Sequence, residues 1–271
     1  MSWWGKLAGG AFGFMVGGPI GALLGAVLGH NLDKGLKGLS GDERLPPGDQ
    51  ERVQTAFFTT TFSVMGAVAK ADGRVSPDEI ALANSVMAEM DLSEEMRQTA
   101  INLFNQGKSA AFPLDQVLAQ FRAECHGRNT LIQMFIEIQL QAAYADGSLH
   151  RAEEQLLLHI CKRLGVPEFI FRQLERMIRA EGHFSGRASG GRRAEAKPSG
   201  PSLADAYAIL NVPSGASDAE VKKAYRRLLS QHHPDKLVSK GLPEEMMKMA
   251  TQKTHEIRQA YERVREARGS L

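Results

Sequence analysis

The residues around Pro234 constrain this chain more than any other stretch, because a proline there divides two helices and leaves a corner between them. Upstream, Val221, Ala224, Tyr225, Leu228 and Leu229 recur at offsets of three and four, the spacing that lines up one apolar stripe on a helix. Lys222, Lys223, Arg226 and Arg227 fall on the other side. Ser217 and Glu220 have the spacing of a capping box, so the start of this helix is specified as well as its end. From Pro243 to Arg268 the pattern predicts a second long helix, with Ala250, Ile257, Ala260, Tyr261 and Val264 able to pack back against the first. The expectation is an antiparallel helical pair with a rigid basic face, His233-Pro234-Asp235 being exposed in a short charged loop at its bend. His232 reads as a bystander. His233 has no nucleophile or convergent polar pocket assignable beside it, so general-base chemistry is not expected there.

The run AYAILNVPSGASDAEVKKAYRRLLSQHHPDK, in which tripeptide, capping box, apolar stripe and paired basic residues coincide, resembles the J domain of DnaJ-type co-chaperones. The resemblance implies a short first helix over residues 203–210 bracing the pair. It also implies that His233, Pro234 and Asp235, with Lys222, Lys223, Arg226 and Arg227, dock on the ATPase domain of an Hsp70 of the DnaK type and stimulate ATP hydrolysis. The continuation DKLVSKGLPEEMMKMA and then HEIRQAY is more narrowly similar to the DjlA-type, membrane-anchored J proteins of Gram-negative bacteria. Thr254 departs from the pattern, standing where many J domains carry a packing aromatic.

Charge and cysteine content exclude several classes. The formal net charge is +2, with acids outnumbering bases over residues 51–182 and bases outnumbering acids beyond. That balance is unlike the strongly basic domain of a nucleic-acid binder. Cys125 and Cys161 are the only cysteines and lack CxxC spacing, which argues for a reducing compartment and against a zinc site. The four CxxCxGxG repeats and Gly/Phe-rich segment of DnaJ itself are missing. No phosphate-binding GxxxxGK[ST] occurs, so the chain is expected to act on a partner's ATPase as a non-enzyme, without a cofactor of its own.

At the other end, residues 7–29 carry no charged side chain, enough to cross a hydrocarbon core of about 30 Å. Gly5, Gly9, Gly13, Gly17, Gly21, Gly25 and Gly29 recur at every fourth position, a seam of small residues along which two such helices can approach closely, so a homodimer is expected. Pro19 is expected to kink the span, and Trp3 and Trp4 suit the interfacial belt. Lys6 precedes the span while Lys34, Lys37 and Arg44 follow it, which favours a periplasmic amino terminus and cytoplasmic carboxy-terminal domains in a single-pass inner-membrane protein. A cleaved signal peptide or a soluble glycine-rich hairpin are the other readings of this stretch.

Between the two ends the chain has helical periodicity and an internal echo. Ala69-Lys70-Ala71-Asp72-Gly73-Arg74-Val75 returns as Ala143-Tyr144-Ala145-Asp146-Gly147-Ser148-Leu149, each copy ending an apolar helix and followed by an acidic stretch that opens another. Two pseudo-symmetric helix-turn-helix units account for this. The arrangement resembles the TerB-like domain, in which acidic residues near the repeated turn are linked to metal binding. Asp72, Glu79, Asp146 and Glu153 occupy the matching turns and are the candidate ligands, although the oxygen-rich run of an EF-hand is missing and turn and capping chemistry selects the same residues.

The expected architecture is therefore all-α: a transmembrane anchor over 1–30, a juxtamembrane linker over 31–50, a TerB-like helical domain over 51–182, a Gly/Ser/Arg-rich flexible linker over 183–202 and a J domain over 203–271. The expected function is that of a membrane-anchored co-chaperone that recruits an Hsp70 to the inner membrane. A membrane-tethered sensor of metal or lipid, acting mainly through the TerB-like domain, is the alternative.

Overall fold

Helix α2 (Asp49–Ala69) occupies the centre of the molecule, with every residue from 53 to 66 buried, among them Phe57, Phe58 and Phe62. A helix enclosed on all sides needs neighbours all round. They are α3 (Glu94–Gly107), α4 (Leu114–Glu124), α5 (Asn129–Ala143) and α6 (Arg151–Leu164), while α7 (Glu168–Phe184) closes over α5 and α6. The structure is a computed structural model that describes residues 18–32, 49–71, 73, 87–88, 92–144, 147–184 and 202–269. Phe121 of α4 and Phe135 of α5, with ring centroids 4.9 Å apart, close on Phe57 at 6.0 and 6.5 Å, so one aromatic triad ties three helices together.

The sequence echo is also an echo in backbone conformation. Gly73 and Gly147 have φ of 91° and 90°, a region open to glycine, and each donates its N–H three residues back, to the carbonyls of Lys70 and Tyr144. The helices ahead of them end at the matching residues, Ala69 and Ala143.

Helix α1 (Gly18–Leu32) covers the described part of the expected membrane span. It buries Ile20, Leu24 and Val27 against the helical body, packing on α3 and α4, and Gln120 Oε1 accepts the Ile20 N–H at 2.9 Å. Pro19 falls in its first turn, where the missing N–H costs no hydrogen bond, so it begins the helix rather than kinking it. Gly21 is buried and Gly25 exposed, whereas Trp3, Trp4, Gly5, Gly9, Gly13 and Gly17 lie outside the described residues. No described helix is long and apolar enough to cross a membrane.

The carboxy-terminal unit comprises α8 (Leu203–Ile209), α9 (Asp218–Gln231), α10 (Pro234–Ser239), a 3-10 turn (Glu244–Met246) and α11 (Met247–Ala267). Its core joins Ile209, Leu210, Val221, Leu228, Ile257 and Val264. Two details depart from expectation. The stretch after His233 is helical, because proline at the first helical position has its φ already set for a helix. The last helix is preceded by a 3-10 turn, so its α-helical part begins at Met247 rather than Pro243.

Candidate functional site

The tip at residues 233–235 is built from both of the elements that meet there. Helix α9 starts on a reciprocal cap: Ser217 Oγ accepts the Glu220 N–H at 3.3 Å and Glu220 Oε2 accepts the Ser217 N–H at 2.7 Å. The Ser217 backbone N–H holds the Glu220 carboxyl below the usual carboxylate range. Val221, Ala224 and Leu228 are buried against α11, and the Tyr225 ring stacks on Tyr261 with centroids 4.0 Å apart and planes 8° from parallel. Arg268 locks the far end of the pair, donating to Tyr207 Oη at 2.8 Å, Asp218 Oδ1 at 2.6 Å and the Ala216 carbonyl at 2.7 Å.

With its apolar stripe committed, α9 turns Lys222, Lys223, Arg226 and Arg227 to solvent. It ends at His232, and His233, in extended conformation, starts α10. The His233 and Asp235 side chains are 52% and 86% exposed, with Nδ1 and Oδ2 3.9 Å apart, so both polar groups of the tip are displayed together. Leu237 is fully buried and Lys236 Nζ donates to Ser230 Oγ at 2.6 Å, which fixes α10 against the end of α9. All seven residues singled out from the sequence thus belong to this hairpin, His233, Pro234 and Asp235 at its corner and the four basic residues along the outer face of α9. Thr254, at the position of the expected aromatic, is buried, with its hydroxyl donating to the Thr251 carbonyl at 2.7 Å.

The candidate metal ligands fare differently. Asp72, Glu79 and Asp146 lie outside the described residues. Glu153 is buried, and its carboxylate accepts the His150 N–H at 2.9 Å as part of a capping box that opens α6. Among the described residues no group of three His, Cys, Asp or Glu side chains stands close enough together to hold a metal ion. Cys125 and Cys161 are free and buried, and burial pushes both thiols up to about 12.

Four polar residues lie behind the tip: His232, read from the sequence as a bystander, and Glu137, Glu181 and Lys253, which sequence reasoning passed over. His232 is buried, with Nε2 3.8 Å from Glu137 Oε1. Lys253 Nζ is 2.6 Å from Glu181 Oε1 and 3.4 Å from Glu137 Oε2, all three side chains being buried. The signal was present: Ala250, Lys253, Ile257, Ala260 and Val264 continue one three-and-four stripe, so a lysine occupies a core position.

Residues 205–268 match the DnaJ domain, residues 59–176 the tellurite resistance protein TerB, and residues 1–40 the co-chaperone DjlA transmembrane domain. The chain is 46% identical over 274 residues to the co-chaperone protein DjlA of Coxiella burnetii, covering 100% of each chain. It is 44% identical over 280 residues to that of Photobacterium profundum, covering 98% of this chain and 99% of the relative. To that of Escherichia coli K12 it is 42% identical over 273 residues, covering 99% of each. No solved structure matches. An all-α chain with the transmembrane, TerB and DnaJ segments in this order, similar from end to end to these relatives, belongs to the DjlA family of co-chaperones.

Proposed function

We propose that this chain stimulates the ATPase of a cytoplasmic Hsp70 of the DnaK type and recruits that chaperone to the inner membrane. The observation that carries the reading is the joint exposure of His233 and Asp235 at one end of the hairpin with Lys222, Lys223, Arg226 and Arg227 along its outer face. Four cations on a solvated helix steer an acidic partner at long range, and an exposed carboxylate at the tip can accept a charge-assisted hydrogen bond from a partner arginine. Work on the nucleotide is left to the partner.

The anchor part of the reading rests on the uncharged run of residues 7–29 and on the transmembrane-domain match over 1–40. The basic residues after the run favour a cytoplasmic carboxy-terminal side. The glycine seam from Gly5 to Gly29 supports a homodimer held within the bilayer, an arrangement that requires α1 to leave its packing on α3 and α4.

The test is a single-turnover ATPase assay with a purified bacterial Hsp70. His233→Gln is expected to abolish stimulation while circular dichroism and membrane partition stay as in the parent chain. Stimulation that survives in the folded variant removes the role assigned to the tip.

A further inference from the structure

The J domain is seated on the TerB-like domain along a buried seam. Leu237, Leu242, Met246, Met249 and Ala250 belong to the same apolar core as α2 to α7, and in return Ala180 of α7 joins the core of the J domain. Gly241, at φ +104°, lies so close to α2 that a Cβ there would stand 2.6 Å from Val53 Cγ1. Polar contacts flank this close approach: Gln50 Nε2 donates to the Val238 carbonyl at 3.3 Å and Lys240 Nζ to Thr130 Oγ1 at 3.0 Å. At the centre the J domain brings one cation, Lys253, and the TerB-like domain brings two carboxylates, Glu137 from α5 and Glu181 from α7. A cavity of about 30 Å³ remains between α5 and α11 beside them, lined by Glu137, Gln141, Lys253 and Glu256.

Burying charge costs more than burying hydrocarbon, and a buried ion pair gives little net stability over an apolar pair of the same shape. It does select geometry, since a buried lysine is tolerated only where its partners stand. Here the partners come from two different helices, so only one pose of the J domain satisfies Lys253. We propose that this seam is a latch: the TerB-like domain is an intramolecular receptor for the J domain, recognising it by enclosing Lys253 between Glu137 and Glu181, and loss of that pairing frees the J domain as a folded module.

The seat leaves the outer face of α9 and the side chains of His233 and Asp235 uncovered while gripping the back of the same corner through His232, Leu237 and Gly241. Latched, the tip points in one direction relative to the TerB-like domain. The proposal stands on this packing and holds whatever partner the tip receives.

Spin-label distance measurements on the full chain in detergent test it. Labels go on cysteines introduced at Gln98 and Glu262, both exposed, one on each domain, and the buried native thiols leave labelling to the introduced sites. The parent chain is expected to give one narrow distance. Lys253→Met, which strands two buried carboxylates, is expected to lose the single peak and spread the distances several-fold. Adding Glu137→Gln and Glu181→Gln to that variant removes the stranded charges and is expected to bring the narrow peak back. Thr130→Arg, which sets a second cation against Lys240 at the edge of the seam, provides an opening variant with the core of each domain untouched. A broad distribution in the parent chain, or a narrow one that persists in folded Lys253→Met and in Thr130→Arg, overturns the latch.

Discussion

Gly66 and Gly107 face each other's helices at a single crossing, where α2 and α3 touch backbone to backbone. A Cβ on Gly66 would stand 2.0 Å from the Phe104 carbonyl oxygen, and one on Gly107 would stand 1.7 Å from that of Ser63. Neither obstacle is the end of a flexible side chain, so the helices themselves must separate to admit a methyl group. Gly66→Ala and Gly107→Ala are each expected to destabilise the TerB-like domain by about 1–3 kcal/mol or more, a net loss even after the roughly 0.5–1 kcal/mol that helix propensity alone would add in their favour. Urea unfolding read at constant slope checks this. A neutral or stabilised Gly66→Ala would show that the crossing is not as close as it stands here.

The buried cluster at the seam contains one cation for two carboxylates, and a proton on Glu181 corrects the imbalance. Burial raises the Glu181 carboxyl, Lys253 draws it back, and Glu256 and Glu137 push it up again, to about 7. Burial lowers the pKa of Lys253, but Glu137 and Glu181 outweigh it and keep the ammonium charged. In the unfolded chain Glu181 ionises in the usual carboxylate range, so from there up to about pH 7 the folded state keeps a proton that the unfolded state has lost. Its contribution to stability therefore falls as pH rises through that window. His232 acts in the opposite sense: burial lowers its pKa, with Lys253 adding to and Glu137 opposing the shift, so it weakens the fold as pH drops below the usual histidine range. The Tm of Glu181→Gln relative to the parent is expected to climb between about pH 5 and pH 8. A difference that stays level across that range would contradict the assigned proton.

The outer face of α9 supplies a third prediction, one of rate. Arg226→Glu with Arg227→Glu reverses two exposed charges without touching the buried stripe of Val221, Ala224 and Leu228. Association with a bacterial Hsp70 is expected to slow by roughly tenfold or more at low ionic strength, with the deficit shrinking as salt shortens the Debye length from about 10 Å at 0.1 M to about 3 Å at 1 M. Stopped-flow association rates across a salt series measure it. A deficit that does not change with salt would place the two arginines in direct contact chemistry rather than steering.

The hairpin was legible in the sequence because its information is local. A capping box, a stripe of period 3.6 and a proline state the beginning, the buried face and the end of α9 within eighteen residues, Ser217 to Pro234. The echo of Ala69–Val75 in Ala143–Leu149 was legible for the same reason, and Gly73 and Gly147 answer it with equal φ. Residues that act across the fold were not legible in this way. Glu137 sits among Phe135, Ile136 and Ile138, and Lys253 sits on a core stripe. Each looks like a misplaced charge until the other domain supplies its partner. Periodicity counts faces along one helix and carries nothing about which helix will cover them. Pro19 is the converse case, because a proline can open a helix or kink one, and the uncharged run on both sides of it gives no charge or polarity change to tell the two apart.

Helix α7 ends at Phe184 and the J domain begins with Ser202, yet the two ends are neighbours: α7 packs on α8, and His183 Nδ1 is 3.6 Å from Asp205 Oδ1. Seventeen residues lie between Phe184 and Ser202 in the sequence, and their number does not set how far the J domain travels while it is seated. Insertion, deletion or proteolytic nicking between Phe184 and Ser202 should leave the two domains mated, the severed halves migrating together until the seam itself is opened.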